Sequence, residues 1–240
     1  MTNVFLGRNA GDSILEDLRQ AQSSGEIITP YISSEYVHLL RSLKNRGIRV
    51  SLILSSDLGS KKDRSETLQG LIDQIEHIDE AKSQKKKLFL DWTVALAIGS
   101  LILSLVGNYH YQNKRYLWGL AALPVLALVF FLFKKITDCW YTYESPFKLK
   151  VVMSPYSSGF SSKNYLVHSK VYIIDSSIAY LGSLNFTKAG FVHNYESRVA
   201  ITERDRVKQL HDDFVSLFYE SNTSCMNIEK VGQEVYKINK

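Results

Sequence analysis

His168-Ser169-Lys170-Val171-Tyr172-Ile173-Ile174-Asp175, continuing through Ser176-Ser177-Ile178-Ala179-Tyr180-Leu181 to Gly182-Ser183-Leu184-Asn185, is the stretch that decides what this 240-residue chain is. Read as an extended segment, it sends His168, Lys170 and Tyr172 to one face, where an imidazole and an ammonium converge on a single anion. A phosphate fits that pair. An imidazole nitrogen can attack phosphorus and form a covalent phosphohistidine, splitting one difficult displacement into two easier ones. Lys170 supplies positive charge beside the non-bridging oxygens, and the Asn185 amide and Ser183 hydroxyl add donors where charge builds. Gly182 lets the backbone approach a ligand or turn with positive φ. The scheme calls for no cofactor and no metal ion. Gly-Ser-x-Asn by itself reads as an ordinary turn; the His-Lys segment before it turns it into a phosphate cradle. Asp175 has two readings, a carboxylate that orients a partner or one that closes the strand. His38, His77 and His211 read as ordinary core or surface histidines.

The run resembles the HKD signature of the phospholipase D superfamily, His-x-Lys-x4-Asp-x6-Gly-Ser-x-Asn, with every specified position met by His168, Lys170, Asp175, Gly182, Ser183 and Asn185. The resemblance implies an acid shortly downstream that hydrogen-bonds the nucleophilic imidazole, and Glu196 stands in that place. It further implies two such histidines facing each other. This chain has one His-x-Lys copy, so the resemblance implies a homodimer in which His168 of one subunit attacks and His168 of the other protonates the leaving oxygen. His193 is the alternative acid within a single chain.

Two apolar stretches set this chain apart from a plain soluble domain. Leu88 to Gly107 is apolar except for Asp91 and a few small hydroxyls, and Tyr116 to Phe133 is apolar throughout. Each approaches the roughly 20 residues that span a bilayer as a helix. The short Asn108–Arg115 connection makes them a transmembrane hairpin, and a buried soluble pair should show a polar stripe that neither has. Trp92, Tyr109, Tyr111, Tyr116, Trp118, Trp140 and Tyr141 gather near the ends as interfacial aromatics do, and Pro124 predicts a kink in the second helix. Lys82, Lys85, Lys86, Lys87, Lys134 and Lys135 flank one end against Lys114 and Arg115 at the other, which predicts an inner-membrane protein with its catalytic part facing the cytoplasm. The two cysteines, Cys139 and Cys225, form neither a metal-ligand cluster nor a disulfide framework. A net charge of +5, carried partly by these lysines, does not separate a nucleic-acid partner from anionic headgroups.

The rest of the chain argues for an α/β fold. A strand over 26–32, a helix over 35–46 stopped by Gly47, and a strand over 48–54 form one unit. Further strands are expected at 148–154, 179–182 and 195–201, a loop over 155–164, and an amphipathic helix over 205–221. The resemblance implies a phospholipase D-like mixed sheet flanked by helices and interrupted by the hairpin. Its N-terminal half is residues 1–60 and its C-terminal half residues 148–221, with a tail over 222–240. Residues 61–87 are expected to form an amphipathic stalk, with Leu68, Leu71, Ile75 and Ile78 as the apolar seam of a helix over 65–84, and the hairpin occupies 88–136.

The leading expectation is a membrane-anchored phosphodiesterase acting on nucleic acid, as in the dimeric nuclease branch of the superfamily. Lys163, Lys188, Arg198 and Arg49 are candidates for the phosphate path. Phospholipid hydrolysis or headgroup transfer is the alternative, with phospholipid as substrate, and a non-catalytic phosphate-binding membrane scaffold is the third.

Overall fold

The computed structural model describes residues 2–57, 61–112, 114–158 and 163–236. They divide into two units, Met1–Gln74 with Tyr143–Lys240, and Ile75–Thr142.

The first unit is built on a seven-stranded mixed sheet. Its elements are β1 (Thr2–Gly7), α1 (Asp12–Gln20), β2 (Ser24–Thr29), α2 (Ser34–Asn45), β3 (Arg49–Ser55) and α3 (Lys61–Leu71). The chain leaves through β4 (Asp73–Ile78) and returns through β5 (Cys139–Glu144), after α4 (Glu80–Tyr111) and α5 (Ala122–Lys134). It then adds β6 (Lys148–Val152), α6 (Pro155–Ser158), β7 (Val171–Ile174), β8 (Ile178–Gly182), β9 (Glu196–Ile201), α7 (Arg204–Tyr219) and α8 (Ile228–Val235). The strand order is β1-β9-β8-β7-β2-β3-β6. β2, β3 and β6 run parallel, whereas β7 pairs antiparallel with β2, and β8, β9 and β1 continue antiparallel. The mixed α/β sheet expected from the sequence is therefore present. β1, α1 and α8 carried no signal that the sequence reading picked up.

Burial follows from cover on both faces. Ile27 and Ile28 are adjacent yet both buried, because consecutive side chains point to opposite faces and each face is covered by helices. Ile28, Ile53, Val152, Val171 and Ile173 pack under α7 with Val207 and Phe214. Tyr172 and Phe186 face the other way, toward Tyr36 of α2. Gly47 ends α2 at φ +86°: its N–H reaches Lys44 O at 2.9 Å and Ile48 N–H reaches Leu43 O at 3.1 Å, the closure that a left-handed residue after a helix permits.

In the second unit, α4 and α5 are joined through a 3-10 segment, Lys114–Ala121. Glu80–His110 and Leu117–Lys134 are long and apolar enough to cross a bilayer, with mean hydropathies of 2.0 and 2.1 over their most apolar windows. Only 11% and 0% of those windows is buried, so the apolar side chains point outward instead of filling a core. The helices touch through Phe89 and Phe133, stacked at 3.8 Å, and through Ser100, whose hydroxyl donates to Gly119 O at 2.7 Å. Pro124 lies in the first turn of α5, where its missing N–H costs no helical bond of that element.

The stalk expectation is corrected. A continuous helix over 65–84 does not form: α3 ends at Leu71, and Asp73–Ile78 is a strand paired with β5. Leu68 and Leu71 are fully buried while Ile78 is 60% exposed, so the apparent seam is two unrelated patterns that happen to share a helical period. In the expected 155–164 loop, α6 occupies the first four residues and 159–162 lie outside the described residues.

Of the two readings of Asp175, the structure favours closure of the strand, since it sits at the opposite end of β7 from Lys170. With Ser176 it adopts positive φ, 52° and 51°, in the turn between β7 and β8. Its carboxylate accepts from the backbone N–H groups of Gln22 (2.9 Å), Ser23 (2.7 Å) and Ser24 (2.9 Å) and from the Ser23 hydroxyl (2.9 Å). It is a clamp joining this turn to the start of β2. Burial opposes its charge, but these donors outweigh burial and hold the carboxyl below its ordinary value. Asp175→Asn is expected to lower stability in urea unfolding by about 1–3 kcal/mol while turnover by the folded fraction is unchanged. The depressed carboxyl contributes stability that is complete above its unfolded value of about 4 and is lost as pH falls through the folded value, a slope the variant should lack. A variant as stable as wild type but inactive would return Asp175 to the catalytic group.

Candidate active site

The site lies where β2, β3 and β6 end, where β7 begins and where β8 passes toward β9. His168 and Lys170 precede the first residue of β7 instead of lying within it, but Lys170 is held at the sheet because its carbonyl accepts the Gly182 N–H at 3.3 Å. The Lys170 ammonium is 3.2 Å from His168 Nδ1 and 3.3 Å from Nε2, and donates to the His168 carbonyl at 2.7 Å. The expected convergence of imidazole and ammonium is thus present. Contact with both ring nitrogens leaves neither tautomer locked. Lys170 is 7% exposed, whereas His168 is exposed, so the cation supports an imidazole open to a substrate. Burial pushes the Lys170 ammonium below its ordinary pKa, and the Glu196 carboxylate partly restores it.

Ser183, Leu184 and Asn185 form a loop clamped from beneath. The buried Tyr172 hydroxyl donates to Leu184 O at 2.7 Å, the Phe186 N–H reaches Thr29 Oγ1 at 3.2 Å, and Ser33 N–H reaches Phe186 O at 3.1 Å. Phe186 stacks on Tyr36 at 4.7 Å and meets Phe191 at 5.1 Å. Asn185 Oδ1 is buried with no hydrogen-bond partner, and because a phosphate diester brings no donor, the amide faces one only with its Nδ2 turned into place. Gly182 serves close approach: a Cβ there would lie 2.1 Å from Ser197 O, so the requirement comes from the neighbouring strand and not from a ligand or a positive φ.

Glu196 is buried, and its carboxylate receives the Ser183 hydroxyl and, at 3.1 Å, the Asn194 side-chain amide. The hydrogen bond to the His168 imidazole implied for it is not made within this chain. Its place is behind Ser183, whose Oγ also accepts the Ser197 N–H at 3.0 Å. The Ser183 proton is therefore committed to Glu196, which leaves Lys170 and Asn185 as the groups that can face a phosphate. His193 is exposed in the turn Ala189–His193, and its carbonyl takes Arg8 Nε at 3.0 Å. Two basic candidates are displaced. Arg198 lies between the rings of Phe5 (5.2 Å) and Tyr180 (5.4 Å), and Arg49 begins β3 at the opposite end of the sheet. Lys188 remains exposed three residues beyond Asn185.

Sequence reasoning missed Thr29, which holds Phe186 from 157 residues away, and the supporting role of Tyr172. No local signal marks the first. The alternation His168, Lys170, Tyr172 already placed the second beneath the site.

Residues 137–218 match the family model described as "Cardiolipin synthase, PLD-like domain". Among solved structures, NucT from Helicobacter pylori superposes with a TM-score of 0.51 at 15% identity, covering 95% of this chain and 98% of that one. Nuc from Salmonella typhimurium, a phospholipase D family member, gives 0.49 at 13% identity, covering 95% and 99%. Phosphatidylserine synthase of Haemophilus influenzae Rd KW20 gives 0.46 at 12% identity, covering 99% and 44%. A search of curated proteins found no match. The segment matched to this phospholipase D-like family model is the one that carries His168, Lys170 and Asn185.

Proposed function

We propose that the chain is a membrane-anchored phosphodiesterase that cuts nucleic acid through a phosphohistidine, working as a homodimer whose two His168 imidazoles share one phosphorus. The observation that carries this reading is an exposed imidazole resting on a buried ammonium, present once per chain. In the first step a His168 nitrogen bonds to phosphorus as the P–O bond to the leaving oxygen breaks, and that oxygen takes a proton from the second copy's imidazolium. In the second step water bonds to phosphorus as the N–P bond breaks, and its proton goes to the same second imidazole. Lys170 faces the non-bridging oxygens throughout, with Asn185 beside it.

Dimer formation has a surface available to it. β1 is an edge strand whose Val4 and Leu6 are 70% and 66% exposed on one face, and its last residue, Gly7, pairs with Glu196. A second copy seated there would lie beside the site. The outward apolar faces of α4 and α5 support insertion in a bilayer, and Lys85, Lys86, Lys87, Lys134 and Lys135 at one end support a cytoplasmic catalytic unit at the inner membrane.

Phospholipid hydrolysis or headgroup transfer is the second reading, favoured by those same outward faces. The purified chain in EDTA is expected to cleave single- or double-stranded DNA or RNA, and His168→Ala to lower the rate by about a thousandfold or more. Lipid turnover from liposomes with every nucleic acid left intact would overturn the nuclease assignment. Turnover of neither nucleic acid nor lipid by the wild-type chain would favour the scaffold. Co-expressing wild-type and His168→Ala subunits in equal amounts should leave about a quarter of the activity, because only wild-type pairs are complete, whereas self-sufficient subunits would leave about half.

A further inference from the structure

The first unit holds a cavity of about 540 Å³ at the end of the sheet away from His168. Ser24, Arg49 and Lys148 line it as the first residues of β2, β3 and β6, so it opens where the parallel strands begin, roughly 20 Å from the site at their other end. Its charge is one-sided. Lys44, Arg49 and Lys148 line it with no carboxylate partner within 4 Å among the described residues. The one acidic side chain in the lining, Glu26, is taken by His211 at 2.8 Å. Three like charges gathered around one concavity repel one another unless an anion enters, and a concave wall concentrates their field.

The opposite wall is aromatic. α7 turns Phe214, Phe218 and Tyr219 toward the cavity and Phe147 closes it from the start of β6; Tyr219 is 67% exposed and meets Phe218 edge-on at 5.3 Å. The volume is far larger than a single phosphate needs and falls within the range of small-molecule sites. Cations on one wall and a ring face on the other match a ligand with a phosphate at one end and a planar ring at the other.

We propose that this cavity binds a free nucleotide, with the phosphates on Lys44, Arg49 and Lys148 and the base against Tyr219 and Phe218. The site is separate from the phosphodiester chemistry: none of its residues touches His168 or Lys170, and Arg49 stands outside the substrate path. Asp175 belongs to this end of the sheet, where the clamp it forms on Ser24 N–H holds one wall in place.

Calorimetric titration of the full chain in detergent micelles, with ATP in EDTA, tests the proposal. Saturable binding in the micromolar to low millimolar range is expected, weakened about tenfold or more in the double variant Arg49→Ser, Lys148→Ser and unchanged in His168→Asn. The double variant should keep the wild-type circular dichroism spectrum and urea midpoint, which shows that it is folded. No saturable heat up to about 5 mM, or an affinity that survives the double substitution, would overturn the site. Inorganic triphosphate binding as tightly as ATP, with Tyr219→Ala leaving ATP affinity unchanged, would overturn the nucleotide assignment. Because the readout is binding with His168 removed, its outcome is independent of whether the nuclease reading holds.

Discussion

The Tyr172 hydroxyl, donating to the Leu184 carbonyl from a fully buried position, is the contact on which the arrangement of the site depends. A phenol without a partner there would carry an unrelieved desolvation cost, and burial already drives its pKa well above the ordinary value, so it stays a neutral donor. Through that bond the strand bearing Lys170 holds the loop bearing Asn185. Phe186 and Phe191 pack against the same ring and Tyr36 packs against both of them, so the loop is held by hydrogen bonding and by ring packing together. A site built this way is preorganised, which is what stabilising charge on a transferring phosphorus requires.

Sheet topology explains why so few residues need to be special. The parallel strands β2, β3 and β6 end together, and β7 enters antiparallel beside β2, so His168 and Lys170 arrive at the same rim as Thr29. In open α/β sheets the carboxyl ends of parallel strands are where ligands sit. The opposite rim collects the first residues of those strands, and Arg49 and Lys148 reach its cavity for the same topological reason. One sheet thus gathers basic side chains at two separated rims, and Asp175 belongs to the second rim and not to the first.

Particular residues show how far the sequence could be read. The alternation of His168, Lys170 and Tyr172 is local, and the contact between imidazole and ammonium followed from it even though regular pairing starts only at Val171. Gly47 likewise marked the end of α2 by its position alone. The helical seam over Leu68, Leu71, Ile75 and Ile78 misled, because two apolar residues of a buried helix and two of an exposed ribbon share a spacing without sharing a structure. Glu196 shows a different limit. Its proximity to the site was legible, but whether it bonds an imidazole or a serine depends on which strand lies beside β9, and Ser183 reaches it only after β8 and β9 have paired.

The chemistry on offer and the two apolar helices are local properties of the chain, since residue types at fixed short spacings and runs of apolar side chains keep their meaning in any fold that forms. Tertiary structure decided the assignments that depend on residues far apart in the chain: Thr29 beneath Phe186, Asp175 clamping Gln22 to Ser24, and His211 paired with Glu26 across 185 positions. Hydrogen bonds and ion pairs act over a few ångströms, and pairing at that range between distant segments exists only once the sheet has brought its strands into register.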